Sequence, residues 1–166
     1  MYSLWLKPSI ESFRRYQSII SSLSDIHQTP KFEPHITLNS EIDELSDENF
    51  YQLSVLAALT KVFDVKSTAL SIQNNYYQSL YAVIQSNPPL KALRAEFENL
   101  FPNKTDSFQP HLSLIYSNLP KVKKLKIIQN QRKSYPKLIG LEGIQVMKTV
   151  GKPENWEIVE YFPFYD

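Results

Sequence analysis

The chain has 166 residues, 42% of them hydrophobic and 21% charged, which suits one compact domain with a sizeable buried core. A formal net charge of +1 gives no global attraction to nucleic acid or membrane. The absence of cysteine excludes disulfides and thiolate chemistry, and no segment approaches the roughly 18 apolar residues of a spanning helix.

The opening, Met1 to Pro8, lacks the basic start and long apolar run of a signal peptide, so a cytoplasmic protein is expected. Ser3-Leu4-Trp5 lies in a first strand. Phe13, Tyr16, Ile20 and Leu23 then follow the i, i+3, i+7, i+10 spacing of a half-buried helix, with Ser9 as its N-cap. His27 falls in a polar stretch and reads as a surface-loop histidine; Asp25 to Lys31 is rich in turn residues and reads as a candidate mobile loop. Next comes Phe32-Glu33-Pro34-His35-Ile36-Thr37-Leu38, a strand with a histidine and, two residues on, a hydroxyl. Ser46-Asp47-Glu48 begins a capped helix to about Lys61, and Val62 to Ile72 and Ser79 to Ile84 read as strands around Asn74-Asn75.

From residue 79 the early pattern returns. Ser79-Leu80-Tyr81 matches Ser3-Leu4-Trp5, and Leu90, Leu93, Phe97 and Leu100 repeat the helical stripe behind an Asn87-Pro88 start. Phe108-Gln109-Pro110-His111-Leu112-Ser113-Leu114 then repeats the histidine phrase, 76 positions after the first (35 to 111). The repeat units are about 2–38 and 78–114. Asn103 to Ser107 is a second candidate mobile loop, and its Asn103-Lys104-Thr105 sequon reads as an ordinary turn. A lysine-rich helix from about Leu119 to Gln129 and strands at Leu138 to Thr149 and Trp156 to Phe164 complete the chain. The expected fold is α+β: one domain over 1–166, made of two lobes related by a pseudo-two-fold axis. Mainly antiparallel sheets would line a central cleft, with helices outside.

Side chains two apart on a strand share a face, so His35 joins Thr37 and His111 joins Ser113, while Ile36, Leu38, Leu112 and Leu114 turn to the core. Two imidazoles and two hydroxyls across one cleft suit phosphoester cleavage by a general acid and a general base. A single His-x-Thr is usually structural; the doubling inside a doubled supersecondary unit favours function. No His-Glu-x-x-His or ligand-like spacing supports a metal, and with three glycines there is no phosphate-cradling loop, so no cofactor is expected. The run Lys121, Lys123, Lys124, Lys126 with Arg132 and Lys133 reads as a solvated helix face.

These motifs resemble the two-histidine (2H) phosphoesterase superfamily. With Tyr2 to Pro8, Tyr76 to Tyr81 and His111 to Tyr116, the chain resembles more narrowly the cyclic phosphodiesterases of plants and fungi. The resemblance implies metal-independent hydrolysis of ADP-ribose 1″,2″-cyclic phosphate, a by-product of tRNA splicing, and of nucleoside 2′,3′-cyclic phosphates to 2′-phosphates. It makes His35 and His111 the catalytic pair and Thr37 and Ser113 the phosphate-binding hydroxyls; His111 is taken here as the base and His35 as the acid, an order that the nearly symmetric motifs leave open. It also implies that Trp5 and Tyr116 flank the nucleobase, although strand parity turns Tyr116 off the catalytic face unless the strand ends first. The expected partner is a small cyclic nucleotide bound by a monomer, away from any membrane. Processing of RNA ends, or binding without catalysis, are the alternatives.

Overall fold

The computed structural model describes residues 1–102 and 108–166; the expected loop at Asn103 to Ser107 and its sequon lie outside the described residues. Seven strands and four helices follow one another: β1 (Tyr2–Pro8), α1 (Ile10–His27), β2 (Ile36–Ile42), α2 (Asp47–Leu59), β3 (Phe63–Ile72), β4 (Leu80–Gln85), α3 (Pro88–Leu100), β5 (His111–Ile115), α4 (Lys121–Gln131), β6 (Leu138–Lys148) and β7 (Glu157–Pro163). Short 3₁₀ turns at Tyr76–Gln78 and Pro153–Asn155 precede β4 and β7.

Local chemistry sets most of these ends. The Asn87 side chain accepts from the Leu90 N–H, and Pro88 occupies the first helical position of α3, where its missing N–H costs nothing. Ser46 and Asn49 cap α2 reciprocally. At Ser9 the expected cap is positional only: its side chain makes no capping bond, while its N–H donates to the Gly140 carbonyl. α1 runs past the expected loop start, so His27 is the last residue of a helix rather than part of a loop. Gln28, at φ 53°, closes that helix, and the Ser24 hydroxyl and a Lys31–Asp25 ion pair tie down the segment read as mobile.

The strands pair antiparallel in the order β1-β2-β5-β4-β3-β6-β7, and β6 also pairs with β1. Expectation and structure differ here: the two small sheets are one, closed into a ring of six strands with β7 on the flank of β6. Closure depends on the length of β6, whose start at Leu138–Leu141 meets β3 while Leu141–Lys148 meets β1. Among the described residues the β2–β5 seam is the shortest, resting on the single pair Ile36↔Leu112.

The two helical stripes fill one core. Tyr16, Ile20 and Leu23 of α1 and Leu90, Leu93 and Phe97 of α3 are buried in a cluster with Leu4, Leu6, Ile36, Leu38, Leu112 and Leu114. By strand alternation, residues 3, 5, 37 and 113 face away from these helices. Among the described residues no helix is long and apolar enough to cross a membrane.

Gly143 allows β7 to lie close on β6. A Cβ there would fall 2.5 Å from the Tyr161 ring and 2.7 Å from the Phe162 carbonyl oxygen. Gly143→Val is therefore expected to destabilise the fold by about 1–3 kcal/mol, read as a lower denaturant midpoint. An unchanged midpoint would show that this contact yields freely.

Candidate active site

On the face turned from the helices lies a cavity of about 350 Å³. Its wall contains all six residues singled out in the sequence: Trp5, His35, Thr37, His111, Ser113 and Tyr116. β1 supplies Trp5, β2 with the residue before it supplies Thr37 and His35, and β5 supplies His111 and Ser113. Cross-strand pairing places Trp5 opposite Thr37 and Tyr81 opposite Ser113.

Both imidazoles are held alike. His35 Nδ1 lies 2.6 Å from the Glu33 carbonyl oxygen, and His111 Nδ1 lies 2.9 Å from that of Gln109. A carbonyl only accepts, so each Nδ1 carries the hydrogen and donates it, and in the neutral ring Nε2 keeps its lone pair. Each ring also meets an aromatic at the repeated position. Trp5 stacks face to face on His35 (3.5 Å between centroids, 5° between planes), and Tyr81 meets His111 edge-on at 5.3 Å. The Trp5 indole N–H donates to Ser3, whose hydroxyl donates to the Asn39 carbonyl, so the platform under His35 is itself anchored.

Burial gives the two histidines their electrostatic character. His35 is 7% exposed, and desolvation drives its pKa down to about 3. The Glu33 carbonyl opposes that shift, and the His111 charge adds to it. Burial also lowers His111, against the pull of the Gln109 carbonyl. Both rings are therefore neutral at pH 7. The unfolded chain takes its proton on His35 near 6.5 and the folded chain only near 3, so stability is lost as pH falls through that window. Its contribution is at most about 1.4 kcal/mol per pH unit. The denaturant midpoint is expected to fall from pH 7 to pH 4, and to fall less in His35→Phe; an equal fall in the variant would place the acid sensitivity elsewhere.

The two hydroxyls differ in state. Ser113 Oγ donates to the Tyr77 carbonyl at 2.8 Å, so its one hydrogen is engaged until it rotates. Thr37 lies half-buried on the cavity wall.

Trp5 and Tyr116 are placed differently from the expectation of two base-flanking rings. Each is 3% exposed, Trp5 with a face on His35 and Tyr116 with a face on Phe32 at 3.7 Å, which leaves little surface for a base. Tyr116 reaches the cavity because β5 stops at Ile115; its hydroxyl, with a pKa raised by burial, lies 3.5 Å from His35 Nε2. The aromatic surface that sequence reasoning missed belongs to Tyr77, 49% exposed, and Trp156, with ring centroids 5.9 Å apart. The Trp156 indole N–H is buried and has no hydrogen-bond partner among the described residues. Tyr77 stood inside a quoted aromatic segment; Trp156 lies beyond both repeat units, where no parity or offset pointed to it.

The lysines of α4 contribute nothing to this wall. Lys121, Lys123 and Lys126 are exposed, and Lys124 is buried, donating to the Gln73 carbonyl. Among the described residues no group of three or more His, Cys, Asp or Glu side chains is arranged to hold a metal ion.

The profile of a family described as "Cyclic phosphodiesterase-like protein" matches residues 1–163. The chain belongs to that family. It is accordingly a cyclic phosphodiesterase of the 2H phosphoesterase superfamily. A cyclic phosphodiesterase of Arabidopsis thaliana is 25% identical over 87% of this chain and 78% of its own length. A 2′,3′-cyclic-nucleotide 3′-phosphodiesterase of Kluyveromyces lactis is 26% identical over 70% of this chain and 64% of its own. Crystal structures share the fold: a Thermus thermophilus protein at TM-score 0.63 and 15% identity, covering 98% of this chain and 97% of that one. E. coli LigT in complex with 3′-AMP follows at TM-score 0.61 and 13% identity, covering 99% and 98%.

Proposed function

We propose that this cyclic phosphodiesterase opens small ribose cyclic phosphates: nucleoside 2′,3′-cyclic phosphates, leaving a 2′-phosphate, and ADP-ribose 1″,2″-cyclic phosphate. The observation that carries the reading is the matched pair of imidazoles on one cavity wall, each fixed through Nδ1 to a backbone carbonyl, so that Nε2 is the nitrogen available for proton transfer, that of His35 once a substrate displaces its long contact with the Tyr116 hydroxyl. His111, the more exposed ring, takes a proton from water as the oxygen attacks phosphorus. His35 gives a proton to the ribose oxygen as its bond to phosphorus breaks. Burial opposes a charged His35, but the Glu33 carbonyl, the indole face and an incoming anionic phosphate all favour it. Thr37 and, after rotation, Ser113 donate to the non-bridging oxygens as charge builds there. Tyr77 and Trp156 offer the open stacking surface for a base, with Trp5 and Tyr116 bordering it and holding His35.

The reading treats residues 1–166 as one unit with duplicated halves. Strand order supports this: exchanging β1 with β4, β2 with β5 and β3 with β6 returns the same ring.

Productive free enzyme holds one proton on the pair, and both pKa values lie below the usual histidine range. The optimum of kcat/KM is therefore expected below pH 6.5, falling through neutrality. The kcat optimum should lie at higher pH, because bound phosphate raises both imidazoles. Coincident profiles centred above 6.5 would remove the electrostatic argument.

The direct test incubates the protein, with EDTA present, with 2′,3′-cyclic mononucleotides, ADP-ribose cyclic phosphate and a cyclic-phosphate-ended RNA. Turnover of the small esters to 2′-phosphates is expected. Opening of the RNA alone, with a steep salt dependence, would replace this reading by RNA-end processing.

A further inference from the structure

One feature of the cavity wall plays no part in that mechanism. Between the pairs Tyr2↔Ile42 and Leu4↔Asn39, two residues of β2, Ser40 and Glu41, oppose the single residue Ser3 of β1. This is a β-bulge, and it turns both residues toward the cavity that they help to line. Glu41 stands at φ 60°, in the left-handed region where a bulge residue is ordinarily glycine. Its side chain is exposed. Among the described side chains on that wall Glu41 is the one acid, and no lysine or arginine joins it. A carboxylate on a residue held in an unfavourable backbone conformation, on the wall that also carries His35 and His111, calls for a physical account.

We propose that Glu41 sorts the ligands of this cavity by charge, admitting the singly charged cyclic ester and ejecting the doubly charged monoester made from it. The inference rests on the cyclic-phosphate reading. In that reaction a water oxygen bonds to phosphorus, the bond from phosphorus to one ribose oxygen breaks, and that oxygen takes a proton. The cyclic diester carries one negative charge. The monoester, whose second ionisation lies near pH 6, carries two at neutral pH. Repulsion from a carboxylate on the wall therefore grows at the moment the ring opens. One extra charge several ångströms away in a wet cavity changes affinity roughly three- to tenfold. The same repulsion favours nucleoside cyclic phosphates over ADP-ribose cyclic phosphate, which carries a diphosphate as well.

The test uses ligands that cannot react: 3′-deoxyadenosine 2′-phosphate and its singly charged methyl ester, which share base and sugar and lack the neighbouring hydroxyl. Calorimetric affinities are measured for the unaltered protein, Glu41→Gln and Glu41→Gly at pH 8 and pH 5. Glycine suits the backbone at φ 60°, so the second variant separates charge from strain. The preference for the methyl ester over the monoester is expected to fall roughly three- to tenfold in both variants at pH 8 and to stay unchanged at pH 5. An unchanged ratio in Glu41→Gln at pH 8, an equal change at both pH values, or no binding of either ligand overturns the proposal. Failure of the protein to open cyclic esters would instead sink the functional reading, since these affinities do not depend on turnover.

Discussion

Replacing His111 by alanine is expected to lower kcat by roughly two to four orders of magnitude, the usual range for a lost proton-transfer group. His35→Ala should do the same. Neither change should unfold the protein: each ring is hydrogen-bonded to the carbonyl two residues before it, and the apolar neighbours that hold the strands, Ile36 and Leu112, stay in place. The variants differ in their remaining defect. On the proposed roles, loss of His111 leaves the attacking water without a base, and a stronger external nucleophile such as hydroxylamine should restore part of the rate. On the same proposal, loss of His35 leaves the departing ribose oxygen without an acid, and such a nucleophile should not help. Rescue of His35→Ala instead of His111→Ala would exchange the two roles. Full activity in either variant would remove the proton-transfer mechanism.

Trp5→Ala carries the second large effect, and it falls on stability and catalysis together. Trp5 is 3% exposed and its ring contacts those of His35 and Trp156, so truncation leaves a large void, with an expected loss of about 3–5 kcal/mol. The stack on His35 disappears as well, which frees the ring to leave its productive orientation. Trp5→Phe keeps part of the platform but loses the indole N–H bonded to Ser3. It should recover much of the denaturant midpoint while kcat remains well below that of the unaltered protein. If Trp5→Phe restored kcat and midpoint in proportion, Trp5 would be a packing residue alone.

The histidine strands were legible because alternation on a half-buried strand is a strong constraint. Ile36, Leu38, Leu112 and Leu114 are buried, as their parity required, and His35, Thr37, His111 and Ser113 meet on the opposite face. The helical stripes were legible for the same reason, since Tyr16, Ile20, Leu90 and Phe97 recur at helical spacing and enter one core. Closure of the ring was not. It depends on β6 pairing along both edges, and local pattern carries no record of a strand's partners. Nor was the state of the aromatics legible. Trp5 and Tyr81 occupy matched positions, yet one lies flat on its histidine and the other stands edge-on. Trp156 reaches the cavity from the last turn of the chain, a long-range neighbour that spacing could not reveal. His27 was misplaced because a left-handed Gln28 lets α1 run to its very end in a polar sequence.

The seam between β2 and β5 has a consequence for how finely the chemistry can be set. Other neighbouring strands are laced by runs of pairs, but these two are stitched at Ile36 and Leu112 alone. His35 and His111 each stand one residue before a member of that stitch. Among the described residues, the most lightly fastened joint in the ring is thus the one that sets the span between the His35 and His111 rings. A joint held by so few backbone bonds is expected to yield locally at lower cost than the laced ones, so the spacing of the two rings is expected to adjust without disturbing either half. Substitutions elsewhere in the ring are then expected to shift that spacing while leaving all four motif side chains untouched.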